Sequence, residues 1–432
     1  MTQAESQAES QANPQHDHQA SLGLMADPTI LQNRKLGASL LKLSDADLHH
    51  GLELHDQSVV IDIYGFSAIA NPDVPRLLEA RAQGISPTDF VHMRTQMLLT
   101  RMADVPQEAQ YFSQAWSAAG VTCLGRNSGE ESNVPDRLIR RLAHNTYTTD
   151  KLPGVLRRST TAADILAAKR EGRHCFMYTT NAVPLMGRLD SVDSEISLIE
   201  TFRQFGVRMM HLTYNRRNLI GEGCAEINDG GLSDLGRHVV AKMNQAGVIV
   251  DLAHASPKTA IEAAKVSNKP IVVSHACCRA LHHHYRNVPD EVMRAVADTG
   301  GVVGMTCIPG YLGQQGDITR LIDHLDYAIK LVGIDHVGIG TDVPYTPPGF
   351  NDLLKQLSEG AQPEQLVWDS LWAKNDALFD PKWAQPQMVG SLAWTNWPLF
   401  TAGLVQRGYS DSDIQKVIGG NFMRVLSAVD AG

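Results

Sequence analysis

Two short apolar runs in the middle of the chain each end in a histidine. GVIVDLAHAS, residues 247–256, carries His254, and PIVVSHA, residues 270–276, carries His275. One amphipathic segment, PKTAIEAAKVSNK, separates them. If the runs are neighbouring parallel strands, about 4.8 Å apart, both imidazoles leave the same sheet edge and reach one metal ion or one substrate. A later run, HVGIGTDV at 336–343, ends on Asp342. Neutral imidazoles bind zinc, zinc lowers the pKa of bound water to about 7, and a nearby carboxylate takes and returns the proton. His254 and His275 are therefore the expected metal ligands and Asp342 the expected proton shuttle, the set that metal-assisted hydrolysis requires. Arg286, in the loop HHHYRNVP, has the bidentate fork that grips a substrate carboxylate. A loop salt bridge to Asp290 or Glu291 is its structural alternative.

These residues need a frame that gathers strand ends. From residue 57 onward one unit recurs, a β-branched run followed by a turn and a helical pattern, with runs at 57–65, 120–127, 173–180, 207–214, 247–255, 270–276, 301–309 and 336–343. Several are apolar almost without interruption, as parallel strands covered on both faces must be. Helical periodicity is clearest at 191–205, 232–246, 257–266, 289–299 and 317–332. Ser256 before Pro257 reads as an N-cap, and Gly247 and Gly333 sit where helices should stop. Eight such units predict a single α/β (β/α)₈ TIM barrel over 26–432, whose strand ends meet at one catalytic mouth. A doubly wound sheet is the alternative, and it would hold the first and last strands apart.

Two insertions interrupt the pattern, 67–119 after the first strand, with a helical stretch near 87–102, and 345–392 after the eighth. Loops on that side of a barrel form the active-site face, so both are candidate lids or specificity walls. The second holds or borders Trp368, Trp372, Trp383, Trp394 and Trp397. Residues 1–25, with a short AESQ repeat and little to bury, read as a disordered arm. A net charge of −9 argues against nucleic acid and anionic membrane surfaces, which leaves small solutes as the expected ligands. Six cysteines without a paired-motif spacing suit a reducing compartment. No run approaches the roughly 18 apolar residues of a membrane span, and no signal-peptide layout is present, so the expected location is cytoplasmic.

The segments FGVRMMHLTYNRRN, GLSDLGRHVVAKMNQAGVIVDLAHAS, PIVVSHA, RNVPDEVM, DHVGIGTDV and IQKVIGGNFMRVL resemble, in order, the membrane (renal) dipeptidase family of metallopeptidases, within the amidohydrolase superfamily. The resemblance runs from about residue 57 to the end. It implies a (β/α)₈ barrel, a bridged pair of zinc ions, a dipeptide or a dehydro- or β-lactam analogue as substrate, and a homodimer. By it, His254 and His275 match the second metal's histidines, Arg286 the carboxylate-binding arginine and Asp342 the acid/base aspartate.

The departures from the family pattern bear on the chemistry. The first strand's His-x-Asp falls on Tyr64 and Phe66, and the bridging glutamate of the third strand falls on Thr180. Neither Tyr64 nor Phe66 suits that zinc role, and Thr180 cannot bridge cations as a carboxylate does; Tyr64 and Thr180 become candidate substrate contacts instead. The carbonyl-polarising histidine falls on Tyr214, whose phenol can still donate to an oxyanion. Since an ordinary catalytic zinc takes three protein ligands, a binuclear centre is not expected, and one zinc ion at most would sit at His254 and His275, completed by Asp342, Cys277 or one of His282, His283 and His284. Asp62, two residues before Tyr64, is expected on the same strand face, one layer deeper. The sequence reading is thus a hydrolase of an amide bond near a free carboxylate. Its rivals are a metal-free binding barrel and a metal-independent acid/base lyase or isomerase.

Overall fold

Eight parallel strands pair in chain order. β1 is Ile61–Gly65, β2 Cys123–Asn127, β3 His174–Thr180, β4 Val207–His211, β5 Ile249–Asp251, β6 Val272–Ala276, β7 Val302–Met305 and β8 Val337–Ile339. In this computed structural model the described residues are 27–188, 190–359, 371–372 and 376–430, so the arm expected at 1–25 and Trp368 lie outside them. The eighth strand returns to the first, where the Asp342 amide donates to the Tyr64 carbonyl at 3.1 Å. This near-closure is what a doubly wound sheet would lack. The eight expected runs are the eight barrel strands. One short strand, Leu156–Arg158, joins the edge of β3 beyond them.

The apolar runs fill two layers. Ile61, Ile63, Cys123, Cys175, Met177, Met209, Ile249, Val272 and Val302 pack as one interior cluster. Leu124, Phe176, Met210, Val250, Val273, Val303 and Ile339, the alternate residues, pack outward against the helices. The C-terminal helix Asn421–Asp430 adds Phe422, Val425, Leu426 and Val429 to the interior cluster. The Asn421 amide donates to the Ile334 and Val337 carbonyls at 2.7 and 2.9 Å, beside the start of β8. With the amino end of the barrel covered in this way, the carboxyl ends are left as the open mouth.

Local signals behave as the residue types require. Ser256 caps the helix Pro257–Val266, its hydroxyl accepting from the Thr259 amide at 3.1 Å, and Gly247 ends the helix Asp234–Ala246 in the left-handed region at φ 69°. The segment 191–205 is two short helices, Val192–Glu195 and Leu198–Gln204, rather than one. The first insertion forms three helices, Val74–Ala82, Pro87–Asp104 and Pro106–Ala119.

Asp62 does not lie on the Tyr64 face. The pairing of β1 with β2 shifts register between Asp62 and Gly65, and such a bulge re-aims the side chains that follow it. Asp62 instead accepts from the Thr341 amide and hydroxyl at 2.8 and 2.6 Å and from the Trp394 and Trp397 indoles at 3.0 and 3.4 Å. Burial pushes its carboxyl up to about 6, against these four donors. It is a joint between the barrel and the outer helices.

Candidate active site

At the mouth lies a cavity of about 700 Å³ with Tyr64, Asn181, Tyr214, His254 and Asp342 on its floor. Ile308, Tyr311, Trp372 and Leu378 give it an apolar wall, and Glu130, Glu131, Arg137, Arg140 and Arg141 a charged one. Both insertions contribute: the helix Pro87–Asp104 supplies Thr88, His92 and Arg94, and the second insertion supplies Trp372 and Leu378.

Two floor residues, and the asparagine that holds one of them, are placed by unusual backbone. Asn215, His254 and Asp342 have φ of 57°, 67° and 58°, a left-handed conformation that costs a side-chain-bearing residue about 1–2 kcal/mol. Such strain concentrates where function fixes a side chain. Between the end of β5 and the Pro257 helix there are five residues, and His254 makes the turn. The Cys224 amide and the Thr213 hydroxyl hold its carbonyl at 2.8 and 3.3 Å. Gly223 permits that approach, since a Cβ there would lie 2.1 Å from the Asn215 carbonyl carbon.

His254 and His275 do converge, with their Nε2 atoms 3.0 Å apart. The surrounding network assigns their tautomers. Asn215 Oδ1 lies 2.7 Å from His254 Nδ1, which therefore carries the proton and leaves Nε2 as an acceptor. His275 Nε2 then donates to it, and His275 Nδ1 accepts from the Ser274 hydroxyl at 2.8 Å. Burial, and then the Arg286 charge, hold both rings well below the ordinary histidine pKa, so both are neutral. Aromatic rings clamp them: Tyr64 stacks on His275 and Tyr214 on His254, each with centroids 4.0 Å apart.

Asp342 lines the cavity at the end of β8. Burial raises its carboxyl to about 7 against the opposing Arg286 charge, with Asp62 and Glu131 adding to the rise. The Tyr64, Tyr214 and Tyr311 phenols are pushed up by burial and remain donors.

Other expected residues are placed differently. Thr180 is not on the cavity floor: its hydroxyl donates to the Ala182 carbonyl at 2.7 Å, and its side chain packs beside Gly129. The next residue, Asn181, takes that place, accepting from the Tyr64 hydroxyl at 2.5 Å and donating to Glu131 Oε1 at 2.8 Å. Arg286 is not tied to Asp290 or Glu291 as a loop arginine would be. It is buried behind the floor, donates to the His275 carbonyl at 2.8 Å and lies 5.7 Å over the Tyr311 ring. Cys277 is buried and its thiol, pushed up to about 12 by burial, points to the Thr306 carbonyl. His284 is held by Asp376 at 3.1 Å, and none of His282, His283 and His284 lines the cavity.

The donor set decides which metal centres fit. Among the described residues, the one group of three metal-binding side chains with ligand atoms within 4.8 Å of one another is His211, Asp251 and His275. Neither Asp342 nor His254 belongs to it. Burial alone would raise Asp251, but His211, 2.8 Å away, and the Ser274 and Ala253 amides hold its carboxyl below the usual carboxylate range. That makes it the inner support of the histidine network. A two-metal centre does not fit, because Tyr64, Phe66 and Thr180 offer no imidazole or carboxylate. One ion fits in part: the two Nε2 atoms face each other and the Asn215 bond fixes the ligand tautomer of His254, while His275 would have to give up the proton it holds on Nε2.

Sequence reasoning missed His211, Asn181, Glu131 and Asn215. His211 stands in the segment FGVRMMHLTYNRRN, two strands before His275, and is the one of these with a legible signal. The other three are loop residues, and no pattern marks their partners.

A family model described as membrane dipeptidase, peptidase family M19, matches residues 53–359. Among curated proteins, the chain is 27% identical over 278 residues to the dipeptidase tcpJ of Claviceps purpurea, covering 62% of this chain and 54% of that one. It is 29% identical over 251 residues to the dipeptidase aclJ of Aspergillus oryzae, covering 56% and 50%. The chain thus spans about half the length of these curated relatives. A solved amidohydrolase from Pseudomonas aeruginosa superposes with a TM-score of 0.63 at 25% identity, over 88% of this chain and 99% of that one. No helix among the described residues is long and apolar enough to cross a membrane. The chain belongs to the membrane dipeptidase family, peptidase family M19, a family of hydrolases.

Proposed function

We propose that this chain hydrolyses an amide bond close to a free carboxylate in a dipeptide-sized molecule, with a metal site reduced to at most one ion at His254 and His275. The observation that carries the reading is Asp342, a carboxyl on the cavity floor whose pKa of about 7 matches proton transfer at neutral pH. Ionised, it takes a proton from an attacking water; protonated, it returns that proton to the leaving amine. Tyr214, kept neutral by burial, donates to the carbonyl oxygen as negative charge develops there. Arg286 sets a fixed positive charge behind the Tyr214 and Tyr311 side of the floor, which draws a substrate carboxylate to that side. A zinc ion held by His254 and His275 would add Lewis acidity to the reacting group.

The direct bond between His254 and His275 supports a second reading, in which Asp342 and the histidines work without metal. One experiment separates them: zinc content of the purified full chain, and turnover of a panel of unblocked dipeptides before and after chelation, with His275→Ala as control. Up to one equivalent of zinc, with turnover lost on chelation and in the variant, is the expected result. Two equivalents would overturn the reduced site, turnover that survives chelation would favour the second reading, and no turnover under any condition would sink the hydrolase assignment.

A further inference from the structure

Glu131 is a carboxylate in the cavity that the chemistry above does not use. It sits in the turn between β2 and the helix Pro135–Lys151, and it is held from below. Asn181 Nδ2 donates to its Oε1 at 2.8 Å, and Asn181 Oδ1 in turn accepts from the Tyr64 hydroxyl at 2.5 Å. Because both ends of the Asn181 amide are engaged and Tyr64 is stacked on His275, the carboxylate is tied rigidly to the floor. A carboxylate has about four acceptor directions, and Asn181 takes one. Three arginines of the same wall are directed elsewhere: Arg137 to Glu130 at 2.9 Å, Arg141 to the Gly129 carbonyl at 3.0 Å, and Arg140 to His92.

The floor is therefore electrically polarised. Asp342 and Tyr214 each feel both Arg286, which sits at the His275 carbonyl and the Tyr311 ring, and Glu131, which sits on Asn181, and the two histidines feel Arg286. A molecule with a carboxylate at one end and an ammonium at the other matches that field. Resting on the dipeptide reading above, we infer that Glu131 receives the free amino group of the substrate, so that the enzyme acts on unblocked substrates and rejects N-acylated ones.

The test is calorimetric binding of a non-hydrolysable ketomethylene isostere of glycyl-leucine, with its amino group free or acetylated, to the full chain. The wild type should bind the free-amine form about tenfold more tightly or better, the size of one charge-assisted hydrogen bond. Glu131→Gln, nearly isosteric, should weaken only that form and bring the two ligands within about threefold, whereas Glu131→Asp should keep part of the preference. A preference unchanged in Glu131→Gln, or an equal loss for both ligands, would overturn the assignment and leave the hydrolase reading standing. No binding of either isostere by the wild type would overturn both. Thermal melts of the variants confirm that each is folded.

Discussion

Asp342→Asn tests the electrostatics of the site with one changed atom. Asparagine tolerates the left-handed backbone at this position as well as aspartate does, so the φ of 58° adds no new strain. A carboxyl held at about 7, rather than near 3.8, costs about 4 kcal/mol to ionise inside the protein, an upper figure because the side chain meets the cavity. The folded-state pKa is raised, so the folded chain holds its proton where the unfolded chain has lost it. The resulting penalty is absent below about pH 4, grows as pH rises, and is complete above about pH 7. Replacing Asp342 removes this penalty. The variant should therefore be more stable than wild type by about 2–4 kcal/mol at about pH 8 and by no more than about 1.7 kcal/mol at about pH 5. Matched denaturant unfolding at the two pH values measures the difference. The same variant should lose about 10²- to 10⁴-fold in turnover, the usual contribution of a positioned general base. A gain independent of pH, or a loss of stability at about pH 8, would refute the assignment of a carboxyl with a pKa raised to about 7 to the cavity floor.

Tyr64→Phe keeps the ring over His275 but leaves the buried Asn181 oxygen without its donor, and should destabilise the fold by about 1–3 kcal/mol in denaturant unfolding. Unchanged stability would show that the Tyr64 and Asn181 bond does not anchor the floor. Asp62→Ala strips four donors, two of them indoles, of their shared acceptor and should cost about 3 kcal/mol or more while leaving zinc content as in wild type. A loss of zinc without a loss of stability would return Asp62 to the metal site.

The sequence alone determined the barrel and its three central side chains. Parallel strands covered on both faces need nearly continuous apolar runs, so all eight strands could be counted, and His254, His275 and Asp342 stand where such runs end. Only the tertiary structure decided what surrounds them. The register shift in β1 after Asp62 put Tyr64 on another face and left Asp62 with the Trp394 and Trp397 indoles, and a strict two-residue alternation cannot announce a bulge. Tyr64 and Asn181 are 117 residues apart and His254 and Asn215 are 39 apart, so their bonds exist only after the strand ends have been gathered. Periodicity records which face of an element is buried. Loop residues such as Glu131, Asn181 and Asn215 carry no periodicity, and their partners are fixed by backbone turns that only the folded chain supplies.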